Sequence, residues 1–374
     1  MGGDSPVDRL LDVAESVVSA GVRQLACREG IDVRGFERAA RNLLQTAQLS
    51  ISPELLRQIV ESEGKAVLKA RQNEQLELDW SASDCKTSTP DGREVSRIYA
   101  SADGVKVPVT TRAEKLKRRE RVVENRRQTP PGPGSSRPRL GAVRGGCDQR
   151  YKQFNLTRFY DQNKKQALVS VTRGDHKAGQ KLLLRDASRL RIKAADERVG
   201  LVDGAPCLKS QMEKLPLSKV GNPPTKAVGL DFYHLSQHVH EARRLSFGPD
   251  CPEGQAWVDQ VLHAVRHQGY QPFWDQLLAW RNAQRGKAKR QAADELLHYV
   301  AERKDMINYA LFESRGFDVG SGPMEATCKS TTLRVKGVGM RWDSDNAEAM
   351  MALEAMEESN QWEQYWAKAV TGMN

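Results

Sequence analysis

Two short apolar runs, each closed by an aspartate, constrain this chain more than any other feature. Residues 198–204 read RVGLVDG and residues 226–234 read KAVGLDFYH. Such runs are too short for helices. Separated by helical sequence, they have the pattern of parallel strands buried on both faces. The fold class that follows is α/β, mixed α+β over the whole chain. In an open sheet of this kind, side chains at the carboxyl ends of the strands face the ligand crevice. Asp203 and Asp231 are therefore candidates from position alone.

A longer strand is predicted upstream. SRIYASADGVKVPVTT, residues 96–111, alternates apolar and polar positions, is rich in β-branched residues and carries Asp103. Further strands are expected within 151–173, notably QALVSVT, and a helix over 176–197. The remainder reads as helical. Val7, Leu10, Leu11, Ala14, Val17 and Val18 recur at helical spacing, as do Phe36, Ala39, Ala40, Leu43 and Leu44. After the break QLSIS, Pro53 opens a helix with Leu55, Leu56, Ile59 and Val60 on one face. Helix, short turn, helix fits either a DNA-reading helix-turn-helix, with Arg57 available to phosphate, or an ordinary helical hairpin. Residues 235–318 are helical, with Trp257, Trp274 and Trp280 as core anchors, and the last fifty residues are helical again.

Charge narrows the partners. Lys and Arg outnumber Asp and Glu by 58 to 48, giving +10, a balance that favours polyanions and nucleic acid first. Residues 111–127 are densely basic and read as a helix, with Lys117, Arg118 and Arg119 as candidate phosphate contacts, and 128–146 are rich in Pro, Gly and Ser and read as a loop. The six cysteines include no C-x-x-C pair, which argues against a zinc ribbon or a disulfide scaffold. No apolar stretch approaches the length of a membrane span, and the first residues lack the basic start and apolar core of a signal peptide. A cytoplasmic, nucleoid-associated location is the expectation.

Glu325 supplies a third carboxylate, in the first turn of the helix after GSGPM. Two carboxylates on neighbouring strands and one on a covering helix suit a pair of Mg²⁺ ions, which prefer hard oxygen ligands. Such a pair serves in-line phosphoryl displacement. Each residue also has a plainer reading. Asp103-Gly104 and Asp203-Gly204 are common turn dipeptides, and a carboxylate is favoured in any first helical turn. Met324, Cys328, Thr331 and Val335 form one stripe of that helix, expected on the sheet. Lys329, Arg334, Lys336 and Arg341 are expected to extend a basic surface, Gly337 and Gly339 to allow a tight turn, and Trp342 to plug the core. His234 and His238 lie four apart with His240 beside them. This is a spacing that permits zinc but is unaccompanied by paired cysteines.

The order DGVKVPV, LVDGAP, LDFYHLSQHV, a long helical stretch, then DVGSGPMEATCK and RVKGVGMRW resembles bacterial insertion-sequence transposases of the DDE class, in a form related to the Mutator-like group. The likeness runs from about residue 95 to the C-terminus and more loosely over the N-terminal helices. The resemblance implies an RNase H-like catalytic core interrupted by a helical insertion. Its parts would be an N-terminal helical DNA-binding domain over 1–78, the first part of the core over 79–234 with a basic insertion at 112–150, the helical insertion over 235–318, and a completing segment over 319–374. It implies Asp103, Asp203 and Glu325 as ligands of two Mg²⁺ or Mn²⁺ ions, with Asp231 as rival second ligand and His234 as its neighbour. The implied activity is Mg²⁺-dependent cleavage of terminal inverted repeats followed by strand transfer to target DNA, by a homodimer or larger oligomer without a membrane partner. Relatives often carry a cysteine-paired zinc segment before the first aspartate, where this chain has only Cys85. An RNase H-like nuclease and a non-catalytic basic DNA-binding protein are the alternatives.

Overall fold

A computed structural model describes residues 18–371 apart from 130, 132–135 and 144. The helix expected before residue 18 and part of the Pro-Gly-rich segment lie outside the described residues. Within them, fourteen α-helices surround a mixed sheet.

Five strands make the body of the sheet. β2 (Glu94–Pro108) is central and almost wholly buried through its first half. β3 (Tyr151–Asp161) and β4 (Ala167–Arg173) continue the sheet antiparallel on one side of it, and β5 (Glu197–Val202) and β8 (Val228–Leu230) continue it parallel on the other. The spatial order is β4-β3-β2-β5-β8. A short β1 (Lys86–Ser88) pairs with the start of β2, and β6 (Lys219–Val220) and β7 (Thr225–Lys226) form a separate ribbon. Parallel neighbours need crossovers, and α5 (His176–Arg189) and α6 (Pro206–Glu213) supply them. α5 ends eight residues before the expected 197, because Arg191 turns left-handed (φ 50°) and a 3-10 turn, Ile192–Ala194, leads into β5.

The N-terminal helices are α1 (Ala20–Asp32), α2 (Phe36–Ala47) and α3 (Pro53–Gln72), which opens on Ser52 accepting from Leu55 N and on Pro53. They do not stand apart. Their apolar faces (Cys27, Leu43, Leu56, Val60, Val67) share one core with Val105 and Val107 of β2, with Met324, and with the last two helices, α13 (Ser344–Glu358) and α14 (Trp362–Thr371). α3 crosses α13 so closely that a Cβ on Gly64 would lie 2.6 Å from the Ala349 carbonyl oxygen. The basic segment forms α4 (Arg112–Gln128), which buries none of its residues and begins with a Thr111–Glu114 capping box.

A second core covers the other region of the sheet. There Ile98, Ala100 and Ala102 of β2 meet α5, α6 and a helical block. That block consists of α7 (Phe232–Phe247), α8 (Pro252–His263), α9 (Tyr270–Ala283), α10 (Lys287–Glu302) and α11 (Tyr309–Ser314). Of the three predicted tryptophan anchors, Trp280 is buried, and Trp257 and Trp274 are partly buried against the same core. α12 (Gly322–Leu333) then returns the chain to β2. Among the described residues no helix is long and apolar enough to cross a membrane.

Candidate active site

Register places the aspartates. β2 and β5 pair Ser101 with Leu201, and β5 and β8 pair Leu201 with Gly229. Two residues on, Asp103 lies within β2, and Asp203 and Asp231 stand just past the ends of β5 and β8, so the parallel pairing delivers all three to the same end of neighbouring strands about 4.8 Å apart. Strand periodicity is what makes three distant aspartates neighbours.

Their environments then separate them. Asp231 is completely buried and caps α7, one oxygen accepting from Tyr233 N at 2.6 Å and His234 N at 3.1 Å. Its other oxygen accepts from both the backbone N–H and the hydroxyl of Ser321, at the start of α12. Four donors fill the accepting capacity of a carboxylate. Asp231 thus ties the starts of α7 and α12 together and has no lone pair left for a metal. Asp203 is half-buried and, among the described residues, accepts only from Ala205 N, at 2.9 Å. Gly204 behind it has φ +89°, and a Cβ there would lie 2.5 Å from Leu230 Cδ1, so this turn requires glycine.

Asp103 accepts from its neighbour Gly104 N and from the Cys328 thiol at 3.3 Å. Burial pushes its carboxyl above the usual carboxylate range, and Asp203 pushes the same way, against the Gly104 N–H, the Cys328 thiol and His234. No Lys or Arg pairs with it among the described residues. Cys328 is one turn beyond Glu325 on α12, so this contact holds the Glu325 helix against β2. Burial and the Asp103 charge push the Cys328 thiol well up, leaving it neutral.

Glu325 is half-exposed, and its ion-pair neighbour is His234 Nε2 at 3.9 Å. Among the described residues it makes no helix-capping bond, and the Ser321 N–H it could accept from is already donated to Asp231. His238, by contrast, stacks on Tyr299 with ring centres 3.7 Å apart. As the side chains stand, no three His, Cys, Asp or Glu groups among the described residues are close enough together to grip one ion. The donor chemistry nevertheless fits a hard divalent cation: oxygen ligands, one of them buried without a cationic partner.

No protein-family model matches this chain, and no curated protein matches it.

The supports around the carboxylates come from far along the chain. Arg158 on β3 donates to Thr327 on α12 and, at 3.0 Å, to Glu358 at the end of α13. Arg97 binds Glu197 at 2.6 Å and the carbonyls of Arg315 and Gly316, which hold the segment leading into α12. Arg303, just past α10, donates to the Gly204 carbonyl at 3.0 Å and lies over the Tyr299 ring. No local pattern marks the contacts of Arg158 with Thr327 and Glu358 or of Arg303 with Gly204, because the partners are separated by about a hundred residues or more.

The predicted basic contacts divide. Lys329, Lys336, Lys117 and Arg118 are exposed. Arg119 is half-buried and donates to the Leu140 carbonyl at 3.0 Å. Arg57 is paired with Glu54 and Glu61, and Arg341 with Glu114. Arg334 corrects the expectation of a continuous basic surface. It is only 3% exposed, donates to the Gly30 carbonyl at 2.9 Å, and lies 4.6 Å from the Phe36 ring centre and 5.0 Å from that of Trp342. Trp342 is buried, and its backbone extends the end of β2, with Thr110 N donating to its carbonyl at 2.8 Å.

Proposed function

We propose that the chain is a DNA transposase of an insertion sequence, built on an RNase H-like core, with Asp103, Asp203 and Glu325 as its catalytic carboxylates. The observation that carries this reading is that the parallel pairing of β2 with β5 brings Asp103 on β2 beside Asp203 just past the end of β5, with the Glu325 helix fixed to Asp103 through Cys328. An antiparallel β4-β3-β2 unit continued by parallel β5 and β8, with helical crossovers, is the arrangement an RNase H-like core takes. Residues 235–318 fall between β8 and α12, where the helical insertion is expected.

Asp103, Asp203 and Glu325 would hold two Mg²⁺ or Mn²⁺ ions. Bound there, such ions would supply activation of a water or 3′-hydroxyl and stabilisation of the leaving oxygen. The chain's own residues set the rest. Asp231 fixes the approach of α7 to α12, and with it the spacing of His234 and Glu325. Arg303 and Gly204 hold the turn that presents Asp203. Arg158 and Cys328 hold α12 to the sheet. Exposed Lys329, one turn beyond Glu325, is placed to meet a phosphate of the strand being cut. Two successive in-line displacements, hydrolysis at the element end and attack by the freed 3′-hydroxyl, need no covalent enzyme intermediate.

The test uses duplexes carrying the sequences that flank the chain's own gene, incubated with Mg²⁺. Cleavage followed by joining to a second duplex supports a transposase, and cleavage without joining supports a nuclease instead. Asp103→Asn, Asp203→Asn and Glu325→Gln should each abolish cleavage and leave DNA binding in place. Unimpaired cleavage by Asp203→Asn or Glu325→Gln would sink the assignment. Binding with no cleavage by the wild type would leave a DNA-binding protein.

A further inference from the structure

A groove of about 460 Å³ lies where the N-terminal helices, α4 and the GVGMRW loop meet, well apart in sequence from the aspartates. Arg57, Arg118, Arg334 and Arg341 line it. Its two acidic residues, Glu61 and Asp343, are already held by Arg57 and Lys115. The lining is therefore cationic in balance.

Arg334 is the unusual member. It is almost completely buried, yet no carboxylate pairs with it among the described residues. Its Nε donates to Gly30 and its Nη1 lies 3.0 Å from Met340 Sδ, while Nη2 has no protein partner among the described residues. Desolvation alone lowers its guanidinium to about 10. Burying a charge without a counter-ion is costly. The Phe36 and Trp342 rings offset part of that cost through cation–π contact. They do not explain why Arg118, which has no carboxylate partner among the described residues, converges on the same groove beside Arg341, whose Nη1 is paired with Glu114 at the rim. Arginine's planar fork suits phosphate oxygens, and aromatic walls keep it oriented.

We propose that this groove is a seat for one backbone phosphate of duplex DNA, gripped by Arg334 at its base and by Arg118 and Arg341 at its rim. The proposal rests on the reading of the chain as a DNA-processing enzyme and names where the duplex is anchored. Arg334 immediately follows α12, whose first turn carries Glu325. At 1.5 Å per residue the two positions are separated by roughly 14 Å along that helix. One rigid helix thus links the anchored phosphate to the reacting one. The seat also joins α2 and α3 to the core, so DNA bound there touches both.

Phosphate contacts are independent of sequence, so mixed-sequence duplexes of about 30 base pairs are a sufficient probe, read by fluorescence anisotropy across a salt series. Arg118→Ala, Arg341→Ala and Arg334→Met should each weaken binding about tenfold, the loss expected for one charge-assisted hydrogen bond. Each should also flatten the slope of log K against log salt by about 0.9. Arg118 and Arg341 are exposed, so their variants report even where Arg334→Met does not fold. If both bind with wild-type affinity and salt slope while Mg²⁺-dependent cleavage persists, the groove assignment is wrong and the transposase reading stands. If the wild type binds no duplex, both fall. Protection of the groove by pyrophosphate without any duplex binding would make it a small-anion site and overturn the proposal.

Discussion

Replacing Asp231 and Asp203 by asparagine, one at a time, should produce opposite phenotypes. The two side chains stand at the same level on adjacent strands, and only their hydrogen bonds differ. In Asp231→Asn the amide oxygen can keep the α7 cap from Tyr233 N and His234 N, but the amide nitrogen then faces the Ser321 N–H, donor against donor. Turning the amide over moves the conflict to the start of α7. Either way at least one charge-assisted bond is lost, worth about 1.5–3 kcal/mol, and a buried N–H is left unsatisfied at about 1–3 kcal/mol. The expected destabilisation is about 3 kcal/mol or more, with cleavage falling because α12 loosens. Asp203→Asn keeps its one bond, from Ala205 N, through the amide oxygen. It should stay within about 0.5 kcal/mol of wild type in stability and lose cleavage altogether. Urea unfolding followed by tryptophan fluorescence measures the first quantity and Mg²⁺-dependent cleavage the second. Equal stabilities for the two variants, or a larger loss for Asp203→Asn, would refute the division of roles drawn from their hydrogen bonds.

Other perturbations follow from the same contacts. Arg158→Met removes the shared partner of Thr327 and Glu358 and should cost about 3 kcal/mol in urea unfolding, with the cleavage rate falling more than DNA affinity. Mg²⁺ at about a hundred times its dissociation constant should stabilise the wild type by about 2.7 kcal/mol; a melt of Asp103→Asn should show no such gain. Burial, reinforced by Asp32, Glu358 and Glu357, pushes Glu354 on α13 up to about 8. The folded chain therefore keeps a proton that the unfolded chain releases above about 4.5. Stability should fall as pH rises through that window and level off beyond about 8, and Glu354→Gln should remove this part of the slope.

The strands and their aspartates were legible because each depends on local pattern. Alternation marks β2, and apolar runs closed by aspartate mark β5 and β8. The buried stripe of α12 also follows from spacing, with Met324 and Thr331 inside and Val335, two residues past the helix end, buried as well. Pattern could not rank Asp203 against Asp231. That distinction lies in Ser321, ninety residues along the chain, whose N–H and hydroxyl fill one oxygen of Asp231. Arg334 was misread for the same reason: a basic residue among basic residues looks solvated until Phe36 and Trp342 are seen closing over it. The N-terminal helices look self-contained in sequence because their apolar stripe is visible, whereas the surface that covers it comes from the opposite end.

That last arrangement has a consequence for synthesis. The apolar faces of α1–α3 are completed by α13 and α14, which leave the ribosome only after the whole sheet and the helical block have been made. At roughly ten residues per second, the early helices wait about half a minute for their covering surface. Through that interval the face of α3 around Gly64, which packs on Ala349 of α13, has no cover. A gene copy cut short before α13 would then yield a chain whose first hundred residues remain chaperone clients or protease substrates.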